Sequence, residues 1–353
     1  MGVFRVGVGV GLAGSVVRRD RRAWVMPTVV AMFALAIGLV LGSGPLRTAL
    51  IGSLGTQVDS LEDQVATAEL AADRANVTNK YGDDWVGATA PQLLGTSLAG
   101  HSVAVVSVDK PQTDAVSGVQ SRVTQAGATM AASVTIEPLW TDPNQSAFRA
   151  ALAPQLAPSV AGLDGTESID EVFARALAQA LFPTLVLDGG GNAGGGTTGG
   201  GTNGDKSVDN GASAATKAKE RAGVLWTLLT DSGLVSGNLE GAADAVVMVA
   251  GEPPSDADKS SLQAIANTTL VGVFAQYNAA IVAASGPDAD GDLVASVLAD
   301  AAVLAPRVST VTWVDTAYSQ VTVALALREQ FDGWVGHYGP GEGREAAPPA
   351  LIQ

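Results

Sequence analysis

The chain has 353 residues, 47% of them apolar, 5% aromatic, and a formal net charge of −15. That length admits one large domain or two small ones, with surplus for an anchor and a stalk. The richness in Ala, Val and Leu fits α/β or helical architecture better than a small β-sandwich. The absence of cysteine excludes disulfides, lipoprotein-type acylation, thiolate metal sites and a thiol nucleophile. The acidic balance repels phosphate backbones, so no nucleic-acid partner is expected.

Charge is unevenly divided. Ahead of Ala23 stand Arg5, Arg18, Arg19, Arg21 and Arg22 against Asp20 alone, a segment of net +4 before a remainder of net −19. Within it, Gly9-Val10-Gly11-Leu12-Ala13-Gly14 matches G-x-G-x-x-G in form only. A dinucleotide loop lies between a strand and a helix, whereas an arginine cluster follows here. An upstream start is a better account of the residues before Arg18 than a cofactor loop.

Residues 23–46 are free of charge and have a dense apolar middle. As a helix they measure about 36 Å, enough to cross a hydrocarbon core of about 30 Å with some tilt. Trp24 is placed as an interfacial aromatic, and the arginines behind it predict a cytoplasmic segment over 1–22 and an extracytoplasmic remainder. The competing reading is a cleavable leader, offered by Gly42-Ser43-Gly44. Pro45 and the length of the apolar run argue against it.

Over residues 47–78 the apolar positions alternate by three and four: Ile51, Leu54, Val58, Leu61, Val65, Ala68, Ala72. β-Branched residues at 51, 58 and 65 with Leu at 54 and 61 predict a parallel two-stranded coiled-coil stalk, and so a homodimer. An amphipathic helix lying on its own domain is the alternative. Tyr81-Gly82-Asp83-Asp84 then reads as a turn-rich stretch.

Residues 90–339 form the predicted extracytoplasmic α/β domain. Residues 102–108, an apolar run between Gly100 and Asp109, read as a buried strand. A helix over 113–125 follows, then an extended segment over 131–140, making a strand-helix-strand unit. Ser168, with acidic residues in the first turn after it, caps a second helix through Leu181. Residues 189–204 are a Gly, Thr and Asn run that reads as a disordered surface loop. Beyond it the spacing predicts helices near 212–230, 256–276, 292–300 and 318–331, with strands at 245–250, 279–284 and 309–314. The whole is a mainly parallel sheet flanked by helices, with a loose tail over 340–353.

Catalytic signatures are lacking. His101 and His337 have no histidine neighbour at ligand spacing, and no G-x-S-x-G or H-E-x-x-H occurs. Asp288-Ala289-Asp290-Gly291-Asp292 resembles a calcium loop only in its alternating carboxylates: its sixth position is Leu293 and its twelfth Ala299. Met130 and Met248 are isolated, so no soft copper site is legible. The reading is a binding protein and not an enzyme.

Two segments carry a family likeness. Ala31-Met32-Phe33-Ala34-Leu35-Ala36-Ile37-Gly38-Leu39-Val40-Leu41-Gly42-Ser43-Gly44, and the stretch from Val308-Ser309-Thr310-Val311 to Gly336-His337-Tyr338-Gly339-Pro340-Gly341, resemble the mycobacterial copper transport protein B family. Val321-Thr322-Val323-Ala324-Leu325-Ala326-Leu327 continues the pattern, while the Gly-rich insert and the residues before Arg18 depart from it. The resemblance implies a cell-membrane envelope protein of copper transport, efflux and homeostasis, with copper as a ligand on that ground alone. It also implies an alternative, a non-catalytic scaffold for cell separation and septal peptidoglycan hydrolysis beside a membrane-protein partner. Gly336-His337-Tyr338-Gly339 is the candidate binding motif: His337 offers a metal or partner ligand, or else caps the preceding helix at a glycine turn.

Overall fold

A computed structural model describes residues 25–42, 45–184, 207–277, 279–287, 289, 291–341 and 343–345. Two compact units divide the chain, Met1–Thr78 and Asn79–Gln353. The basic segment 1–22, the whole Gly-rich run 189–204 and the tail after Glu345 lie outside the described residues, as does the formal G-x-G-x-x-G match.

In the first unit, helix α1 (Val25–Gly42) places Val29, Met32, Phe33, Leu35 and Leu39 at the surface. Among the described residues no helix is long and apolar enough to cross a membrane. The 18 residues of α1 rise about 27 Å, against a hydrocarbon core of about 30 Å. Helix α2 (Pro45–Leu94) covers the whole of 47–78, and Leu61, Val65, Ala68 and Ala72 of its heptad seam are exposed.

The turn expected at 81–84 is instead helical, because local and tertiary bonds outweigh the low helix propensity of Gly82. Lys80 pairs with Asp84 at 3.0 Å, and the Asp83 carboxylate accepts the Ala317 N–H at 3.0 Å. Ala90 and Leu94 are buried, so the last turns of α2 belong to the core of the second unit.

That unit is a seven-stranded sheet of order β3-β2-β1-β4-β5-β6-β7. The strands are β1 (Ser102–Val108), β2 (Thr129–Ile136), β3 (Val235–Leu239), β4 (Ala245–Ala250), β5 (Ala280–Ala284), β6 (Ser309–Val311) and β7 (His337–Tyr338). Every pairing is parallel except β2 with β3. β1 and β4 are continuous apolar runs because helices cover both faces. Ala104, Val106 and Val108 turn to one apolar cluster, with α4 (Ser146–Leu156), α5 (Ile169–Leu181), α6 (Ser207–Asp231), α7 (Ala257–Phe274) and α8 (Leu293–Ala299). Val103 and Val105 turn to the other, with the end of α2, α3 (Thr113–Gln125) and α9 (Ala317–Phe331).

The predicted capping box is complete: Ser168 Oγ accepts the Glu171 N–H, and the Glu171 carboxylate accepts the Ser168 N–H at 2.7 Å. Phe182 meets Phe274 edge-on at 5.5 Å beneath the sheet, a geometry that aromatic pairs prefer.

Two predicted strands end earlier than expected. The strand predicted over 131–140 ends at Ile136, and Pro138–Trp140 form a 3₁₀ turn that buries Trp140. That predicted over 309–314 ends at Val311, since Trp313 is left-handed at φ 60°. α4, β3 and β7 have no counterpart among the elements expected from the sequence. β3 is an exposed edge strand interrupted by Gly237, which has no apolar run to announce it.

Candidate functional site

β1 and β4 are neighbours, yet the chain leaves β1 toward β2 and leaves β4 toward β5. This is the topological switch point of an open parallel sheet, where ligands bind outside the carboxyl ends of the strands. Val108 ends β1, and the next two residues, Asp109 (φ 61°) and Lys110 (φ 54°), are both left-handed. Trp313, following β6, is the third non-glycine residue of this kind among those described. Each such residue costs about 1–3 kcal/mol and persists where the surroundings hold it, which is characteristic of binding and catalytic sites. All three follow strands at the same, carboxyl, end of the sheet.

The turn is closed from both sides. Gly251, after β4, donates its N–H to Val108 at 2.9 Å. A Cβ at Gly251 would collide with the backbone of Asp109 and Lys110, so glycine is required for this close approach. From α7, the Gln263 and Asn267 amides each donate to one oxygen of the Asp109 carboxylate. Burial pushes the Asp109 carboxyl up to about 6, with the Asn267 hydrogen bond opposing the shift.

A crevice of about 570 Å³ opens over this turn, within the range usual for small-molecule sites. Its walls include Glu137, Asp142, Glu252, Lys259, Gln263 and Asn267. A smaller cleft of about 290 Å³ shares Asp109, Lys110 and Glu252, and is walled by Gly286, Pro287 and Asp315. In the sequence Asp109 reads only as the boundary of a strand. The available signal was a carboxylate directly after a buried parallel strand, the place where such sheets carry ligand-facing groups.

Residues 336–339 stand apart from both clefts. Gly336 precedes β7 and Gly339 follows it, and α9 ends at Phe331, so His337 does not cap that helix. His337 Nδ1 lies 3.0 Å from Thr310 Oγ1, and burial holds its imidazole below the usual range, leaving it neutral at pH 7. The Tyr338 hydroxyl donates to Glu329, and burial followed by that carboxylate raises the phenol far above its ordinary value. The glycines have packing reasons: a Cβ at Gly336 would strike the Tyr338 ring, and one at Gly339, where φ is 119°, would strike Thr312 Oγ1.

His101 sits before the amino end of β1, stacked on Phe331 at 3.6 Å, with Nδ1 3.1 Å from Asp244 Oδ2. Asp292 is buried as the cap of α8, where it accepts the Ala295 N–H. Asp288 and Asp290 lie outside the described residues. Among the described residues there is no group of three or more His, Cys, Asp or Glu that could hold a metal ion.

The sequence model of the family described as "Copper transport outer membrane protein, MctB" matches residues 20–349. The chain belongs to this family. Relatives named copper transporter MctB include those of Mycobacterium tuberculosis (strain ATCC 25618 / H37Rv), 25% identical over 324 residues, and Mycobacterium leprae (strain TN), 28% identical over 322 residues. In both cases the alignment covers 88% of this chain and 92% of the relative. MctB-family membership thus extends over the crevice and the 336–339 strand alike.

Proposed function

We propose that this chain is a single-pass membrane-anchored envelope protein serving copper transport and homeostasis, and that it acts by binding and not by catalysis. The observation that carries the copper reading is the family match over residues 20–349, with relatives named copper transporter MctB. Residues 23–46 cross the bilayer, residues 1–22 stay in the cytoplasm and the α/β unit works outside. This topology is supported by the uncharged stretch, the arginines behind it and the exposed apolar side chains of α1. Copper is cargo here. One helix cannot enclose an aqueous path, so transport requires a second copy, joined through the stalk, or a membrane-protein partner.

A second reading, a scaffold for cell separation, is favoured by the engagement of both histidines with protein side chains. A deletion strain separates the two. Copper accumulation and copper sensitivity, reversed by the full chain, are expected; unchanged copper content in chained, unseparated cells would replace transport by the scaffold.

A further inference from the structure

We propose that the crevice at the switch point binds a short peptide-like zwitterion, one end of which carries an ammonium and the other a carboxylate. This rests on reading the outer unit as a binding and not a catalytic domain. Three of the carboxylates at the crevice, Asp109, Glu137 and Asp142, accept hydrogen bonds from neutral donors. Glu137 accepts the Ser236 hydroxyl, and Asp142 accepts the backbone and side-chain N–H groups of Asn144. Lys110, Lys259 and Glu252 are exposed, and among the described residues none of them is in an ion pair.

Asp109 receives two neutral amide donors but no cation, although it is partly buried. A carboxylate withdrawn from water without a counter-charge is costly, and its surroundings are strained. The cost is relieved by a cation delivered from outside. Among the described residues none of the four carboxylates at the crevice, Asp109, Glu137, Asp142 and Glu252, and neither of its ammonium groups, Lys110 and Lys259, is in an ion pair.

A simple anion entering this space meets Asp109 and Glu252, and a simple cation meets Lys110 and Lys259. Like-charge juxtaposition of this kind is the usual means of rejecting a wrong partner. Only a ligand with both signs satisfies both sets. A free amino acid would leave much of the roughly 570 Å³ unfilled, whereas a tripeptide has the size. Pro138, Pro143 and Pro254 supply apolar wall for its middle, and the Asn144 and Thr141 side chains offer polar contacts to its backbone.

The test is isothermal titration calorimetry on the full chain in detergent micelles at pH 7.5. The probes are tri-L-alanine, its N-acetyl form, its C-terminal amide and the doubly blocked form. Tri-L-alanine is expected to bind, each single block to weaken binding at least about tenfold, and the double block to abolish it. In Glu252→Gln the N-acetyl form is expected to lose less relative to tri-L-alanine, and in Lys259→Met the amide is expected to lose less. Both side chains are exposed, so folding is retained in either variant. Equal affinity for the free and doubly blocked peptides, or no binding of tri-L-alanine at about 5 mM, overturns the proposal. Mass spectrometry of the recovered peptide keeps the two readings apart: bound but cleaved peptide leaves the ligand class standing and removes the non-catalytic reading.

Discussion

Asp109 costs the folded chain stability at neutral pH. Its carboxyl titrates at about 6 against an ordinary 3.8, so the fold prefers the protonated form. The corresponding stabilisation is complete below about pH 4 and is lost as pH rises through about 6. Above that the ionised group is a net burden of about 1–3 kcal/mol, allowing for residual solvent screening. Asp109→Asn keeps a residue that tolerates φ 61° and removes the charge. We expect its melting temperature to exceed that of the parent at pH 7.5 and the difference to vanish by pH 4. A lower melting temperature at pH 7.5 would show that the carboxylate is not a burden. The same substitution should weaken a cationic ligand, the usual trade between stability and site function.

The elements carry the next level of evidence. Where apolar spacing and end signals coincide, as with Ser168 and Glu171 of α5, the sequence defines the helix without help. α2 is different: its heptad seam makes no contact that would bury Leu61 or Val65, both more than half exposed. A parallel homodimer would cover them. Because the chain has no cysteine, single cysteines report pairing cleanly. Val65→Cys in the full chain is expected to give a disulfide-linked dimer on oxidation. Leu70→Cys, on the opposite helix face, is expected to remain monomeric, and equal cross-linking at both positions would rule out this seam.

At the scale of the whole molecule, the proposed anchor makes a demand separate from that of the α/β unit. If residues 23–46 span the bilayer, the full chain should stay with membranes through an alkaline carbonate wash and need detergent for release. Leu35→Arg, a charge near the middle of the span, should release it, since a central arginine costs at least about 2.5 kcal/mol on insertion. Parent protein found in the wash would remove the anchor.

The sequence by itself determined the class of the α/β unit and the order of most of its elements. Strands buried on both faces must be short unbroken apolar runs, as at 102–108 and 245–250, and the helices between them show one-sided spacing or caps. It determined the acidic balance and the absence of thiol chemistry in the same direct way. It did not disclose β3 or β7, whose residues are held by an edge partner and by close glycine packing instead of by any local pattern. The crevice was decided by tertiary structure alone. Gln263 and Asn267 stand 154 and 158 positions from Asp109, and only the sheet order that sets β4 beside β1 brings α7 over that turn. His337 shows the converse: it stands in a conspicuous local motif whose glycines have packing reasons, because the fold makes it an edge strand paired with β6.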